Sequence, residues 1–273
     1  MKSYVNDKIN DFEEWKKCFI VNREINKNVY EDPDSNSENL YKDLVIFLNA
    51  QEEKIIIPEK RFSYEFSEKP LGINVIKNCE ILFILKSDQL GFSAFNHIYD
   101  RYIEKAEDEN SARKQVCEWI YESRSIGGCF LWPMEKGDKG WITNPFYNIL
   151  RGRGRMQDRV DMTLQDIKNC YEKADNSWLR NQCNKKENMK IWLDRFGTFN
   201  TYSKFFCFEP FIEGTYIKNL NGGTIQNFFG KEHKRKFNEY SFEELHDVLN
   251  NLNKWIKART VKIETIIKNQ EPK

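Results

Sequence analysis

The sequence lacks several features on which common classes of protein depend. No apolar run approaches the length of a membrane-spanning helix, and no apolar region follows Met1, so we expect a soluble protein without a membrane partner. The seven cysteines form no CxxC pair, which argues against a zinc ribbon and a disulfide framework and favours a reducing compartment. We therefore expect a cytoplasmic protein that holds no metal.

Recognisable catalytic motifs are absent as well. The three histidines are scattered, and none stands in an HExxH or HxE frame. The serines have no Gly-x-Ser-x-Gly context, and no Gly-Lys-Ser/Thr or Gly-x-Gly-x-x-Gly loop is present. With 43 basic and 42 acidic residues the formal charge is +1, so only a local patch could attract nucleic acid. We expect no cofactor, and the sequence does not decide whether the protein is an enzyme.

Apolar periodicity predicts a helix-rich fold. We expect helices at 38–48, 95–121, from 156 to 171 and after the capping box 241–244, and strands at 61–66, 80–86 and 129–132. The charge run 104–109 within the second helical region is either a solvated face or a helix break. The connections between strands look too short for helical crossovers, which favours antiparallel pairing. The predicted fold class is α+β: one helix-dominated domain over residues 1–273, with a small antiparallel sheet mainly from the N-terminal half and a frayed tail at 268–273. The aromatic segment 191–206 should be core, and the terminal helix should pack on it.

A candidate polar site lies in the central stretch 125–171. Arg151, Arg153 and Arg155 alternate with glycines directly before the predicted helix. A helix N-terminus favours anions, and guanidinium groups bind phosphate or carboxylate in a bidentate way. We predict that these arginines, together with Arg159, bind an anionic ligand.

Two further pairs of residues belong to this prediction. Asp158 and Asp161, near the start of the helix, would orient the arginines or act as acid–base groups. Gly127 and Gly128 permit a backbone turn that other residues resist, and we place them among the ligand-binding residues. The same charges could equally form a structural network of salt bridges, and the sequence leaves both interpretations open.

The central block also resembles an uncharacterised family, associated with bacteria and phages and known as a domain of unknown function. The resemblance is carried by Ile126-Gly127-Gly128-Cys129, Pro133, Asn148, Arg151-Gly152 and the segment 158–164, with further similarity at 32–34 and 196–199. It implies that Asn148 belongs with the ligand-binding residues. The family more often has histidine where this chain has Cys129, so the resemblance does not make that position an acid, a base or a metal ligand here.

Two functions follow as hypotheses. In the first, the protein binds or processes a phosphate-bearing nucleotide or nucleic acid through the arginine–aspartate cluster. In the second, it is a non-enzymatic interaction factor of a mobile element, acting in defence or counter-defence by binding another protein. The absence of catalytic motifs and the phage association of the resembling family motivate the second. The oligomeric state does not follow from the sequence.

Overall fold

The fold combines helices with a small antiparallel sheet. The computed structural model describes residues 37–51, 60–64, 72–77, 80–89, 102–137, 140–142, 160–175, 177–225 and 240–270. The helices are α1 (Glu38–Ala50), α2 (Glu109–Ser123), α3 (Val160–Tyr171), α4 (Trp178–Cys183), α5 (Glu187–Asp194), α6 (Phe199–Phe205) and α7 (Phe242–Lys268). The strands are β1 (Lys60–Tyr64), β2 (Ile73–Lys77), β3 (Glu80–Gln89), β4 (Cys129–Pro133), β5 (Glu135–Gly137), β6 (Gly140–Ile142), β7 (Ile212–Glu213), β8 (Tyr216–Lys218) and β9 (Thr224–Ile225). This arrangement confirms the predicted α+β class.

The main sheet has the strand order β1-β2-β3-β4, with every neighbouring pair antiparallel. Phe62, Val75 and Phe83 are paired across the first three strands, and all are buried. The predicted end of β3 at Ser87-Asp88 is wrong, because both residues pair with β4 and the strand continues to Gln89. The pairing with β4 continues through both residues, and the Ser87 N–H donates to the Tyr41 hydroxyl (3.3 Å), so tertiary contacts override the local turn signal.

The long helix predicted at 95–121 is interrupted within the described residues. A helical turn at 102–104 ends, and α2 begins at Glu109 with Asp108 as its N-cap. The Asp108 carboxylate accepts hydrogen bonds from the N–H groups of Asn110 (3.0 Å) and Ser111 (3.3 Å). Aspartate stabilises a helix start more than a helix interior, so the acidic run marks a break.

The terminal helix α7 starts at the predicted capping box. Ser241 accepts a bond from the Glu244 N–H (3.2 Å), and the Glu244 carboxylate accepts one from the Ser241 N–H (2.8 Å). The helix contacts the predicted aromatic segment through Arg259, which donates to the Phe206 carbonyl (2.8 Å). It packs mainly on the 3₁₀ turn Ile126–Gly128, on α2 and α1, and on the 3₁₀ turn 209–211. Gly127 leaves room for the helix backbone at Thr260 and Ile256.

The aromatic segment is core, as predicted. Its buried rings are Trp192, Phe196, Tyr202, Phe205 and Phe206, and they contact one another at centroid distances between 4.8 and 5.9 Å. They belong to one hydrophobic cluster that extends from Leu40 to Ile263. No helix in the described part of the chain is long and apolar enough to cross a membrane. The single-domain assignment for 1–273 stays a prediction.

Candidate functional site

A groove lies where the first turns of α7 meet the segment before α2. Its volume is about 590 Å³, inside the range of roughly 300–1,000 Å³ that is usual for small-molecule sites. Residues 102–108 and the first two turns of α2 form one wall, and residues 242–247 form the other. The Lys105 ammonium donates to the Tyr240 carbonyl (2.8 Å), which ties the two walls together just before α7 begins. We call this space the α2–α7 groove.

Tyr102, Gln115 and His246 line the groove, and a row of polar contacts joins them through Asn250, which does not itself line it. The Tyr102 hydroxyl donates to the side-chain oxygen of Gln115. The Gln115 amide donates to the side-chain oxygen of Asn250 across the two helices (2.5 Å). The Asn250 amide nitrogen lies 3.0 Å from Nδ1 of His246, one turn earlier on α7. We call Tyr102, Gln115, Asn250 and His246 the polar row.

Aromatic rings support the polar row from one side. The Tyr102 ring stacks on Phe242 with 4.8 Å between centroids and 15° between planes. The His246 ring lies 6.1 Å from the same phenylalanine. Burial raises the pKa of Tyr102 to about 12, so its hydroxyl keeps its proton at neutral pH and remains a donor. The His246 side chain is 43% exposed, so a ligand in the groove can reach it.

Acidic groups dominate the rim of the groove. Glu107, Asp108, Glu243 and Asp247 line it, against the single ammonium of Lys105 and the imidazole of His246. The pKa of Glu243 is lowered, first by a hydrogen bond from Ser241, so this carboxylate stays ionised. An anion would meet like charges here. The α2–α7 groove therefore suits a neutral or cationic molecule better than a phosphate.

Sequence reasoning missed this groove. Its walls are separated by more than a hundred positions, and neither contains a catalytic motif. The one available signal was the position of His246, which lies in the terminal helix between the apolar residues Leu245 and Val248. A histidine in this position is also found on ordinary exposed helix faces. Only the contact with α2, made through Asn250, distinguishes His246 from such a residue.

Gly127 and Gly128, predicted as ligand-binding residues, are buried under α7. A Cβ atom on Gly127 would lie 2.2 Å from the Thr260 hydroxyl oxygen and 2.5 Å from the Thr260 backbone nitrogen. A Cβ atom on Gly128 would lie 2.0 Å from the Ser123 carbonyl oxygen. Close packing is thus sufficient to explain both glycines, and their contact with a ligand stays a prediction.

Arg259 holds the same region together from the middle of α7. Its guanidinium donates to the carbonyls of Phe206 (2.8 Å), Gly127 (2.7 Å) and Cys129 (2.7 Å). The charged carbon lies 4.2 Å from the Phe208 ring centroid. Burial lowers the pKa of Arg259 to about 10, which still leaves it charged at neutral pH. This arginine connects three separate chain segments through backbone groups.

Asp161, predicted as a catalytic residue, is fully buried in the first turn of α3. Its carboxylate accepts the backbone N–H groups of Met162 (2.9 Å) and Leu220 (2.9 Å). It therefore fixes the loop between β8 and β9 onto α3. Proton transfer by Asp161 would require these bonds to loosen, and its catalytic role stays a prediction.

Asp166, which was not predicted as a site residue from the sequence, also accepts backbone N–H groups with its carboxylate. Its carboxylate accepts the N–H groups of Trp178 (3.1 Å) and Leu179 (2.8 Å) at the start of α4. Burial raises the pKa of Asp166 to about 6, although the hydrogen bonds from Leu179, Ser177 and Trp178 act in the opposite direction.

The remaining predicted site residues lie outside the described part of the chain. They are Asn148, Arg151, Arg153, Arg155, Asp158 and Arg159. The structure therefore brings Asp161 to the start of α3 and the glycine pair to α7, but it does not test the arginine cluster. In the described residues, no group of three or more His, Cys, Asp or Glu side chains is placed to hold a metal ion.

Comparison with known proteins gives one finding. A family model described as a family of unknown function, DUF6994, matches residues 19–263. No curated protein matches the chain, and no solved structure matches it.

Proposed function

This chain belongs to the family of unknown function DUF6994, and we propose that it binds a small amine- or hydroxyl-bearing molecule in the α2–α7 groove. The observation that carries the proposal is the polar row beside open space. Its members bond to one another and not to the backbone, and they converge on an accessible histidine. Convergent polar groups over an aromatic surface are typical of small-molecule sites.

The chemistry of the groove defines the class of ligand. The four carboxylates at the rim attract an ammonium group, and the half-buried ring of Phe242, which stacks on Tyr102, offers it an apolar surface. His246 can accept or donate a proton within hydrogen-bonding reach of such a ligand. A reaction at this site would therefore use His246 as its acid–base group.

Calorimetric titration with a diamine, glucose and ATP tests this proposal. We expect heat of binding with 1,4-diaminobutane or glucose and none from ATP at the groove. His246→Gln and Asp247→Asn should weaken the diamine at least about tenfold, which corresponds to about 1.4 kcal/mol. Lys254→Met, an exposed change on the same helix, is the matched control and should bind normally. Binding of neither diamine nor glucose, or binding that His246→Gln leaves unchanged, would contradict the proposal.

A second proposal concerns the arginine segment. We infer that Arg151, Arg153, Arg155 and Arg159 bind the phosphate of a nucleotide or nucleic acid. What favours it is that the segment directly precedes α3 (Val160–Tyr171), because the partial positive charge of a helix N-terminus attracts anions. In the same titration, heat with ATP that Arg153→Met abolishes and His246→Gln preserves would support this site.

The interaction hypothesis predicts a different outcome. A protein that acts by binding another protein should show no heat of binding with any of the three small molecules. It should instead retain a partner from a bacterial lysate in a fixed stoichiometry. If both the His246→Gln and the Arg153→Met variants still retain the partner protein, the interaction surface lies elsewhere on the chain.

A further inference from the structure

The hydrogen bonds of the polar row all point in the same direction. The Tyr102 hydroxyl meets the side-chain oxygen of Gln115, which can only accept, so the hydroxyl donates. The Gln115 nitrogen, which can only donate, meets the side-chain oxygen of Asn250 (2.5 Å). The Asn250 nitrogen is then turned towards His246. Every bond in the row therefore runs from Tyr102 towards the histidine.

The buried end of the row favours this direction. If the amides of Gln115 and Asn250 both turned over, the row would also be connected, but the Tyr102 hydroxyl would then accept from Gln115. The hydrogen of the hydroxyl would need another acceptor, and Tyr102 is fully buried, so solvent does not supply one. Burial also raises the pKa of Tyr102 to about 12, so the hydroxyl keeps that hydrogen. A buried donor without an acceptor is costly, and the observed direction avoids this cost.

The direction of the row decides what His246 can offer to a ligand. The Asn250 nitrogen lies 3.0 Å from Nδ1 and 3.2 Å from Nε2, and an amide nitrogen only donates. A neutral imidazole has one accepting nitrogen and one N–H group. Whichever nitrogen accepts from Asn250, the other one carries the hydrogen. The His246 side chain is 43% exposed, so a molecule in the groove can reach this N–H group.

The charge of the ring does not change this role. An imidazolium carries N–H groups on both nitrogens and has no accepting nitrogen. The role is therefore the same whether the four rim carboxylates, of which Asp247 lies 3.9 Å from Nδ1, and the Lys105 ammonium leave the ring neutral or charged. In both forms, His246 meets the groove as a hydrogen-bond donor.

We propose that the α2–α7 groove selects an amino alcohol, whose oxygen accepts the His246 N–H and whose ammonium group meets the rim carboxylates. This inference rests on the function proposed above and narrows its class of ligand. An alkyl amine without the oxygen leaves the His246 N–H without a partner on the ligand. Tyr102, Gln115 and Asn250 are positioning residues, because they act on the ligand through His246.

Calorimetric titration with three matched amines at a pH of about 8, where a histidine is mostly neutral, tests the selection. Opposite its ammonium group, 4-amino-1-butanol has a hydroxyl, n-pentylamine has a methyl group, and 4-methoxybutylamine has an ether oxygen, which accepts but cannot donate. We expect the alcohol and the ether to bind about five times more tightly than n-pentylamine, the effect of one hydrogen bond. Equal affinities, or tight binding of the alcohol without the ether, would overturn the inference and leave the amine site in place. Binding of none of the three would overturn the proposed function as well.

Two variants that keep an aromatic ring separate the donor from the residue that fixes its direction. His246→Phe removes both ring nitrogens, so the three amines should bind with equal affinity. Tyr102→Phe keeps the ring that stacks on Phe242 but removes the hydroxyl, so the row can run either way. The ether should then lose affinity relative to the alcohol, which can also donate. Lys254→Met, the exposed control on α7, should keep the wild-type order.

The variants also show how the inference fails. An ether that still binds Tyr102→Phe as tightly as the alcohol does would show that Tyr102 does not set the direction of the row. A preference for the alcohol that survives His246→Phe would place the donor elsewhere. The comparison of the three amines on the wild-type protein stands even if a variant folds poorly.

Discussion

The two halves of the terminal helix use polar residues in opposite ways. Around Arg259, in the second half, the polar groups bond to backbone atoms: the guanidinium donates to three carbonyls, and Gly127 lies against Thr260. Around His246, in the first half, the side chains of the polar row bond to one another beside a groove. One helix therefore carries both a close packing contact and the accessible site.

The difference gives a physical criterion for separating structure from function. A buried polar group whose partners are backbone atoms stabilises the fold, because its removal leaves those atoms without partners. Asp161 and Asp166 satisfy this criterion together with Arg259, and we call the three residues the pinned set. Polar groups that bond only to each other next to solvent can exchange those bonds for bonds to a ligand. The polar row satisfies that second criterion.

Arg259→Met should have the largest effect on stability. The change keeps the aliphatic stem but leaves the carbonyls of Phe206, Gly127 and Cys129 without their donor. Each buried acceptor left unsatisfied costs about 1–3 kcal/mol, so we expect a loss of at least about 3 kcal/mol in the free energy of unfolding. Urea denaturation measures it. Lys254→Met, on the exposed face of the same helix, should stay within about 0.5 kcal/mol. If both variants lost the same free energy of unfolding, the two halves of α7 would not differ as described.

Asp166 should give the pinned set a pH signature. Its pKa is raised from 3.8 to about 6, so the folded state holds the proton more tightly than the unfolded state. Stability is therefore gained as the pH falls from about 6 to about 4, by up to about 3 kcal/mol at 1.36 kcal/mol per pKa unit. The free energy of unfolding of the wild type minus that of Asp166→Asn should rise over this interval. A difference that is constant with pH would show that the carboxylate is not buried as described.

Gly127→Ala should destabilise the contact between α7 and the 3₁₀ turn. The added methyl meets backbone atoms of Thr260 and Ile256, which cannot turn away as a side chain can. We expect a loss of about 1–3 kcal/mol, the usual range for overpacking. Gly72→Ala is the control: its methyl would lie 2.4 Å from a methyl of the half-buried Ile84 side chain, which can shift. A thermal melt of both variants should show the larger fall for Gly127→Ala.

Gln115→Met should have the smallest effect on stability. It removes the middle of the polar row while keeping a side chain of similar length. Water in the groove can replace the lost hydrogen bonds, so the free energy of unfolding should change by less than about 1 kcal/mol. Calorimetry with 1,4-diaminobutane should nevertheless show weaker binding than the wild type. A loss of stability as large as that of Arg259→Met would place Gln115 with the pinned set.

Local pattern predicted much of the fold. Apolar spacing indicated α1, the helix that ends at Tyr171 and the strand at Cys129, while the capping box located the start of α7. These signals are carried by residues close together in the chain, where side-chain direction follows directly from helix or strand periodicity. The error arose at the end of β3, where pairing with a distant strand outweighed the local turn signal. Before α2, a single cap residue decided for a helix break, which the sequence had left open beside a solvated face.

The candidate site depended on contacts that no local pattern contains. By itself, the sequence determined the α+β class, the buried aromatic segment and a chain without known catalytic motifs. The tertiary structure alone decided that His246 would meet Gln115 through Asn250 and that α7 would press on Gly127. Periodicity specifies which face of a helix is apolar, but the residue opposite a polar side chain is decided by how distant helices pack.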